Sequence, residues 1–267
     1  MGNHDTIRIT PFRINLSIRS WLQKQGRRRN DIIMRKPGLY YIAQWAIVFR
    51  MITIREFETT DALIAATADL LRTTLARPGT LMLSGGSTPY VVYHQIAQNP
   101  SPVHPGRQLF LSDERMVPAE SPSNNANNLM PMLDALSCAP QFIRVDTALS
   151  PAEAAAEFAA ELEPLDHIDI GFLGMGSDGH TAGFFTLEQA HRTSGPLTLH
   201  TDRPDGMQGV SVTPALFLRT EKIILLVTGE SKRAIIHTLQ TAPETIPAGI
   251  ALADHPQVEL WTDIRLS

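Results

Sequence analysis

The stretch Gly174-Met175-Gly176-Ser177-Asp178-Gly179-His180-Thr181 holds the side chain best suited to chemistry. Histidine gains and loses a proton near neutrality, so His180 fits general acid–base work. Three glycines around it permit a sharp loop that hugs a ligand. The plain alternative is a loop histidine bonded to a backbone carbonyl. Glycine density, together with a place directly after an apolar run, favours the reactive reading. His94, His191, His237 and His255 sit in less constrained surroundings and read as ordinary.

Three more polar clusters carry candidate chemistry. In Ser84-Gly85-Gly86-Ser87-Thr88-Pro89, Gly85 and Gly86 let backbone approach a ligand, and Ser87 and Thr88 add hydroxyls. A helix starting there would also present N–H groups, which together suits a phosphate. A glycine turn with a capping threonine explains the same residues equally well. The pattern is neither a P-loop nor a dinucleotide fingerprint, so no nucleotide is expected. In Ser112-Asp113-Glu114-Arg115, three adjacent charges end an apolar strand and cannot all be buried without partners. Asp113 and Arg115, two apart, can face one side, as a carboxylate and a guanidinium serving one site. On its own this cluster reads better as a solvated strand end. In Gly229-Glu230-Ser231-Lys232, the lysine falls in the first turn of an expected helix, where a cation is unfavourable unless an anion lies near. A phosphate would supply that anion; an exposed lysine is the bland alternative.

The elements that must position these clusters alternate between strand and helix. Expected strands are Met51–Phe57, Thr80–Ser84, Gln108–Ser112, Phe142–Val145, Ile168–Leu173, Lys222–Thr228 and Val258–Trp261. Expected helices are Ala62–Leu75, Tyr90–Gln98, Asn124–Leu136, Ser150–Glu163 and Ser231–Leu239, with Ser150 and Glu153 at capping-box spacing. The alternation implies an α/β fold, a doubly wound, largely parallel sheet with helices on both faces in the Rossmann-like manner. Ligands bind such sheets at the carboxyl ends of strands. All four clusters fall there, and that coincidence outweighs any single motif.

Composition sets the remaining bounds. The chain has 267 residues, 43% apolar and 19% charged, and no run of 18 apolar residues that would span a bilayer. Residues 1–50 carry ten Lys/Arg against two Asp/Glu, a net of +8, while residues 51–267 have a net of −12. The acidic part does not look like a nucleic-acid binder. The basic part, with Arg27-Arg28-Arg29, reads either as a targeting arm or as a non-native, disordered extension preceding a start at Met51; the second reading is preferred. Cys138 is the only cysteine, which fits a reducing, cytoplasmic setting and a buried apolar role for its side chain.

In their order along the chain, Ser84–Pro89, Ser112–Arg115 with the downstream Asn124-Asn125-Ala126-Asn127-Asn128-Leu129, Gly174–Phe184 and Val227–Lys232 resemble the motifs of 6-phosphogluconolactonases. These belong to the wider glucosamine-6-phosphate isomerase/6-phosphogluconolactonase superfamily. The resemblance spans about Ile52 to Leu260. It implies a catalytic domain over 51–267 that hydrolyses 6-phospho-D-glucono-1,5-lactone to 6-phospho-D-gluconate in the oxidative pentose phosphate pathway, without cofactor or metal. It also implies His180 as the water-activating base, with Asp113 and Arg115 beside it. Gly85, Gly86, Ser87, Thr88 and Lys232 would hold the phosphate. Whether Asp113 orients His180, or Arg115 meets the oxyanion, stays open. The partner is a small phosphosugar lactone, with no nucleic acid or membrane, in a monomer or weak homo-oligomer.

Deaminases of the superfamily typically read Asp-Glu-Tyr where this chain has Asp113-Glu114-Arg115. They also read Gly-His-Ile-Ala-Phe-Asn-Glu-Pro where it has Gly179-His180-Thr181-Ala182-Gly183-Phe184-Phe185, so the ring-opening Glu is missing. A deaminase or isomerase, and then a non-catalytic sugar-phosphate sensor, are the alternatives. One departure concerns the lactonases themselves. They usually carry an Arg just before a segment like Val210-Ser211-Val212-Thr213, and here Gly209 occupies that place, with Arg203 the nearest substitute.

Overall fold

A computed structural model describes residues 6–12 and 50–266. The expectation for residues 1–50 falls mostly outside that range. Strand β1 (Thr6–Phe12) pairs antiparallel with β2 (Arg50–Glu56) along its full length. The chain continues through β3 (Gly79–Leu83), β4 (Arg107–Leu111), β5 (Asp113–Arg115), β6 (Phe142–Ile143), β7 (Ile168–Gly174), β8 (Thr198–Asp202), β9 (Gln208–Val212), β10 (Thr220–Val227) and β11 (Val258–Thr262). Eight strands form one sheet in the order β1-β2-β11-β10-β7-β3-β4-β6, and every pairing except β1 with β2 is parallel.

The parallel strands are apolar runs because both faces are covered. Leu81, Leu83, Leu109, Leu111, Ile224 and Leu226 pack on one face, while Met82, Phe110, Ile223, Leu225 and Val227 pack on the other. The first face meets α1 (Thr60–Leu75), α2 (Ser87–Gln98) and α3 (Asn125–Ala135). The second meets α4 (Pro151–Leu162), with the short α5 (Leu187–Ala190) and α6 (Pro214–Phe217), then α7 (Arg233–Thr241) and α8 (Pro247–Leu252). Ser150 and Glu153 close a capping box on α4 as their spacing predicts, and at the start of α1 Thr59 accepts from the Ala62 N–H. Lys232 falls in a 3-10 turn, Glu230–Lys232, one residue short of the helix expected to contain it.

At the amino ends of the strands, Arg107 is buried. It donates to the carbonyls of Thr74 (2.6 Å) and Arg77 (2.8 Å) and pairs with Asp169. This ties α1 to β4 and β7 and leaves the carboxyl ends for other work. Connections run outward from β3 through β4 to β6, and from β7 through β10 to β11 on the other side. The direction reverses between β3 and β7, where such sheets open a crevice.

A second, three-stranded antiparallel sheet, β5-β9-β8, was not legible as strands in the sequence. It packs Leu199, Val210 and Val212 into the core shared with α4. No helix among the described residues is long and apolar enough to cross a membrane.

Candidate active site

Four segments converge on the crevice, each just beyond a strand of the large sheet. After β3, the loop Ser84–Gly86 feeds α2. After β7 comes the glycine-rich loop with His180, and after β10 comes Thr228-Gly229 with Lys232. After β4, the chain enters β5 and the second sheet, which closes the fourth side. The cleft measures about 270 Å³ and is lined by all nine residues expected from the sequence: Gly85, Gly86, Ser87, Thr88, Asp113, Arg115, His180, Arg203 and Lys232. Thr88 and Thr228 join two of the walls through a 2.6 Å hydroxyl contact.

The residue that holds His180 is Asp178. Its Oδ1 lies 2.6 Å from His180 Nδ1 and also accepts from the His180 backbone N–H at 3.2 Å. Asp113, a candidate for that task, instead accepts from Ser112 Oγ at 2.9 Å. Gly176 makes the close pair possible: a Cβ there would stand 2.2 Å from His180 Nδ1 and 2.3 Å from Asp178 Oδ1. Burial alone would raise the Asp178 carboxyl, but the His180 backbone N–H and imidazole more than offset it, and its pKa lies below the usual value. The His180 ring also leans on Phe185, with centroids 4.8 Å apart.

In β5 the expected alternation holds. Asp113 and Arg115 line the cleft while Glu114 points inward and is buried. Its carboxylate accepts from three backbone N–H groups, those of Arg115 (2.7 Å), Asn125 (2.7 Å) and Ala126 (2.8 Å). The last two open α3, where an anion is favoured. Glu114 thereby fixes the residues on either side of it and the start of α3 together. Asn125, from the asparagine-rich segment that follows Ser112–Arg115, lines the cleft, donates to the Asp113 carbonyl (2.9 Å) and accepts from Tyr90 Oη (2.7 Å).

Lys232 Nζ donates to the Met175 carbonyl at 2.9 Å, beside the His180 loop. Burial holds its ammonium below the usual lysine range, with Asp178 acting the other way. Gly209 pairs with Arg115 across β5 and β9 and with Thr201 across β8 and β9. A Cβ there would lie 3.0 Å from the Glu114 carbonyl oxygen, a tight approach to backbone, and in ordinary contact with Arg203 Cδ at 3.5 Å. Arg203, just past the end of β8, lines the cleft beside Gly209.

Residues 56–261 match the family profile described as Glucosamine-6-phosphate isomerases/6-phosphogluconolactonase. This chain belongs to that family. Its relatives include a 6-phosphogluconolactonase of Caulobacter vibrioides, 31% identical over 226 residues that cover 76% of this chain and 92% of the relative. A 6-phosphogluconolactonase of Thermotoga maritima is 32% identical over 161 residues, covering 57% of this chain and 70% of the relative. The crystal structure of a Thermotoga maritima 6-phosphogluconolactonase superposes with a TM-score of 0.64 at 25% identity, over 78% of this chain and 96% of that one. The α/β fold with helices on both faces is therefore the fold of this family, and the second sheet is part of it here.

Proposed function

We propose that this chain hydrolyses 6-phospho-D-glucono-1,5-lactone to 6-phospho-D-gluconate, the lactonase step of the oxidative pentose phosphate pathway. The observation that carries the reading is the 2.6 Å contact between His180 Nδ1 and Asp178. A carboxylate at Nδ1 selects the tautomer protonated there, which leaves a lone pair on Nε2 in a residue that lines the cleft.

In this scheme Lys232, Arg203 and the Gly85–Thr88 loop bind the phosphate and so fix C1 near His180. Neutral His180 takes a proton from water at Nε2, and the hydroxide adds to C1. Arg115 meets the oxyanion that forms on the carbonyl oxygen. Collapse of the tetrahedral intermediate breaks the bond from C1 to the ring oxygen, and the imidazolium returns its proton to that oxygen. The acid formed at C1 then ionises. Asp178 stabilises the charged imidazole between the two transfers.

A coupled assay of lactone disappearance, measured against spontaneous hydrolysis, tests the reading. Rapid loss above background is expected. Ammonia release from glucosamine 6-phosphate with no effect on the lactone would assign the chain to the deaminase branch instead.

A further inference from the structure

The turn that joins β8 to β9 is Arg203-Pro204-Asp205-Gly206-Met207. It closes on itself: the Arg203 N–H donates to the Met207 carbonyl (2.9 Å) and the Gly206 N–H to the Arg203 carbonyl (3.0 Å). Within it, Asp205 engages one edge of the Arg203 guanidinium. Nε reaches both carboxylate oxygens at 3.2 Å, and Nη2 reaches Oδ2 at 3.0 Å. A phosphate grips arginine in the same two-pronged manner. The Nε–Nη2 edge is one of the guanidinium's bidentate faces, so a phosphate that takes it must displace Asp205.

Arg203 also has contacts besides Asp205. Its guanidinium lies over the Phe185 ring, 5.0 Å from the centroid, and its stem runs beside Gly209. Its side chain is only 10% exposed, against 41% for Asp205. The arginine is thus seated by packing, and the carboxylate is the outer, more exposed partner of the pair, which also accepts from the Met207 N–H at 3.2 Å. The Arg203 hydrogen bond, joined by the nearby Arg115 charge, holds the Asp205 carboxyl below its usual range, so it stays an anion at neutral pH.

We propose that Asp205 is a built-in counter-anion that competes with the substrate's phosphate for Arg203. This rests on the reading that Arg203 faces phosphate in the cleft. Such competition weakens binding of substrate and product alike. It favours release of a product that carries one more negative charge than the lactone.

Inorganic phosphate is the probe, titrated calorimetrically into the parent chain, Asp205→Asn, Arg203→Met and the double variant. Asp205→Asn is expected to bind phosphate about 3- to 5-fold more tightly, the scale of a partly exposed ion pair. Arg203→Met is expected to bind it more weakly, and the Asp205→Asn gain should vanish in the Arg203→Met background. Asp205→Ser, which cannot mimic the carboxylate's shape, should tighten binding as well. Unchanged or weaker phosphate binding in both Asp205 variants, with thermal transitions like the parent's, would overturn the proposal. So would an Arg203→Met chain that binds phosphate as the parent does. Lactone hydrolysis measured on the same samples separates the two ideas, because the chain can be a lactonase whether or not Asp205 competes.

Discussion

Asp178 and His180 stand two residues apart on one loop, and Oδ1 of the first lies 2.6 Å from Nδ1 of the second. The pair is formed within the loop itself, so its geometry depends on local backbone and not on a distant strand. Asp113, on β5, lines the cleft with Ser112 Oγ as its own partner at 2.9 Å.

Replacing Asp178 with Asn should remove the carboxylate that selects the His180 tautomer and supports its charge. Turnover of the lactone is expected to fall roughly 10²-fold, with KM changed far less. Steady-state kinetics of Asp178→Asn checks this. A KM effect alone would place Asp178 in binding, not in catalysis.

Gly176 tests the same pair from the other side. A methyl group there would collide with both His180 Nδ1 and Asp178 Oδ1. Gly176→Ala should therefore fold, with a thermal transition close to the parent's, yet lose most of its turnover. Parent-like turnover in this variant would mean that the contact is not needed.

Lys232→Met should act on binding. Removal of a charge-assisted partner for phosphate is expected to raise KM about 10- to 100-fold. Its bond to the Met175 carbonyl (2.9 Å) also supports the His180 loop, so a smaller fall in kcat should accompany the change. Raised KM for the phosphorylated lactone but not for unphosphorylated gluconolactone is the discriminating result.

Glu114 carries a pH signature. Burial pushes its carboxyl from 4.5 up to about 7, against the pull of N–H bonds from Asn125, Ala126 and Arg115. With the folded pKa above the unfolded one, the folded chain holds the extra proton between those values. The stabilising contribution is thus full below the unfolded pKa and is lost as pH rises through about 7. Denaturant unfolding from roughly pH 5 to pH 8 should show a decline that flattens in Glu114→Gln. Parallel slopes in the two chains would contradict this.

The parts of the site that could be read in the sequence were those written as glycine-rich polar clusters after apolar runs. Ser84–Thr88, Gly174–Thr181 and Gly229–Lys232 share that form because a parallel sheet buries its strands and turns its carboxyl ends to the ligand. The second sheet left a fainter trace. Its strands are three to five residues long, and β8 mixes Thr, Leu and His without a clean alternation. Pro204-Asp205-Gly206 is nonetheless a turn signature and could have exposed the hairpin. Asp178 was visible as a residue but not as a partner, since the contact depends on how the loop turns and on the room left at Gly176, where a Cβ would collide with both side chains. Glu114 looked like one of three surface charges; its burial follows from the start of α3, which is brought to it only by the tertiary fold.

His180 as the base that activates water is most directly tested by the rate of 6-phospho-D-glucono-1,5-lactone disappearance above spontaneous hydrolysis, in the parent chain and in His180→Ala. The parent is expected to be fast, and folded His180→Ala to be slower by roughly 10²–10⁴-fold. Turnover by His180→Ala near the parent's level would contradict that role.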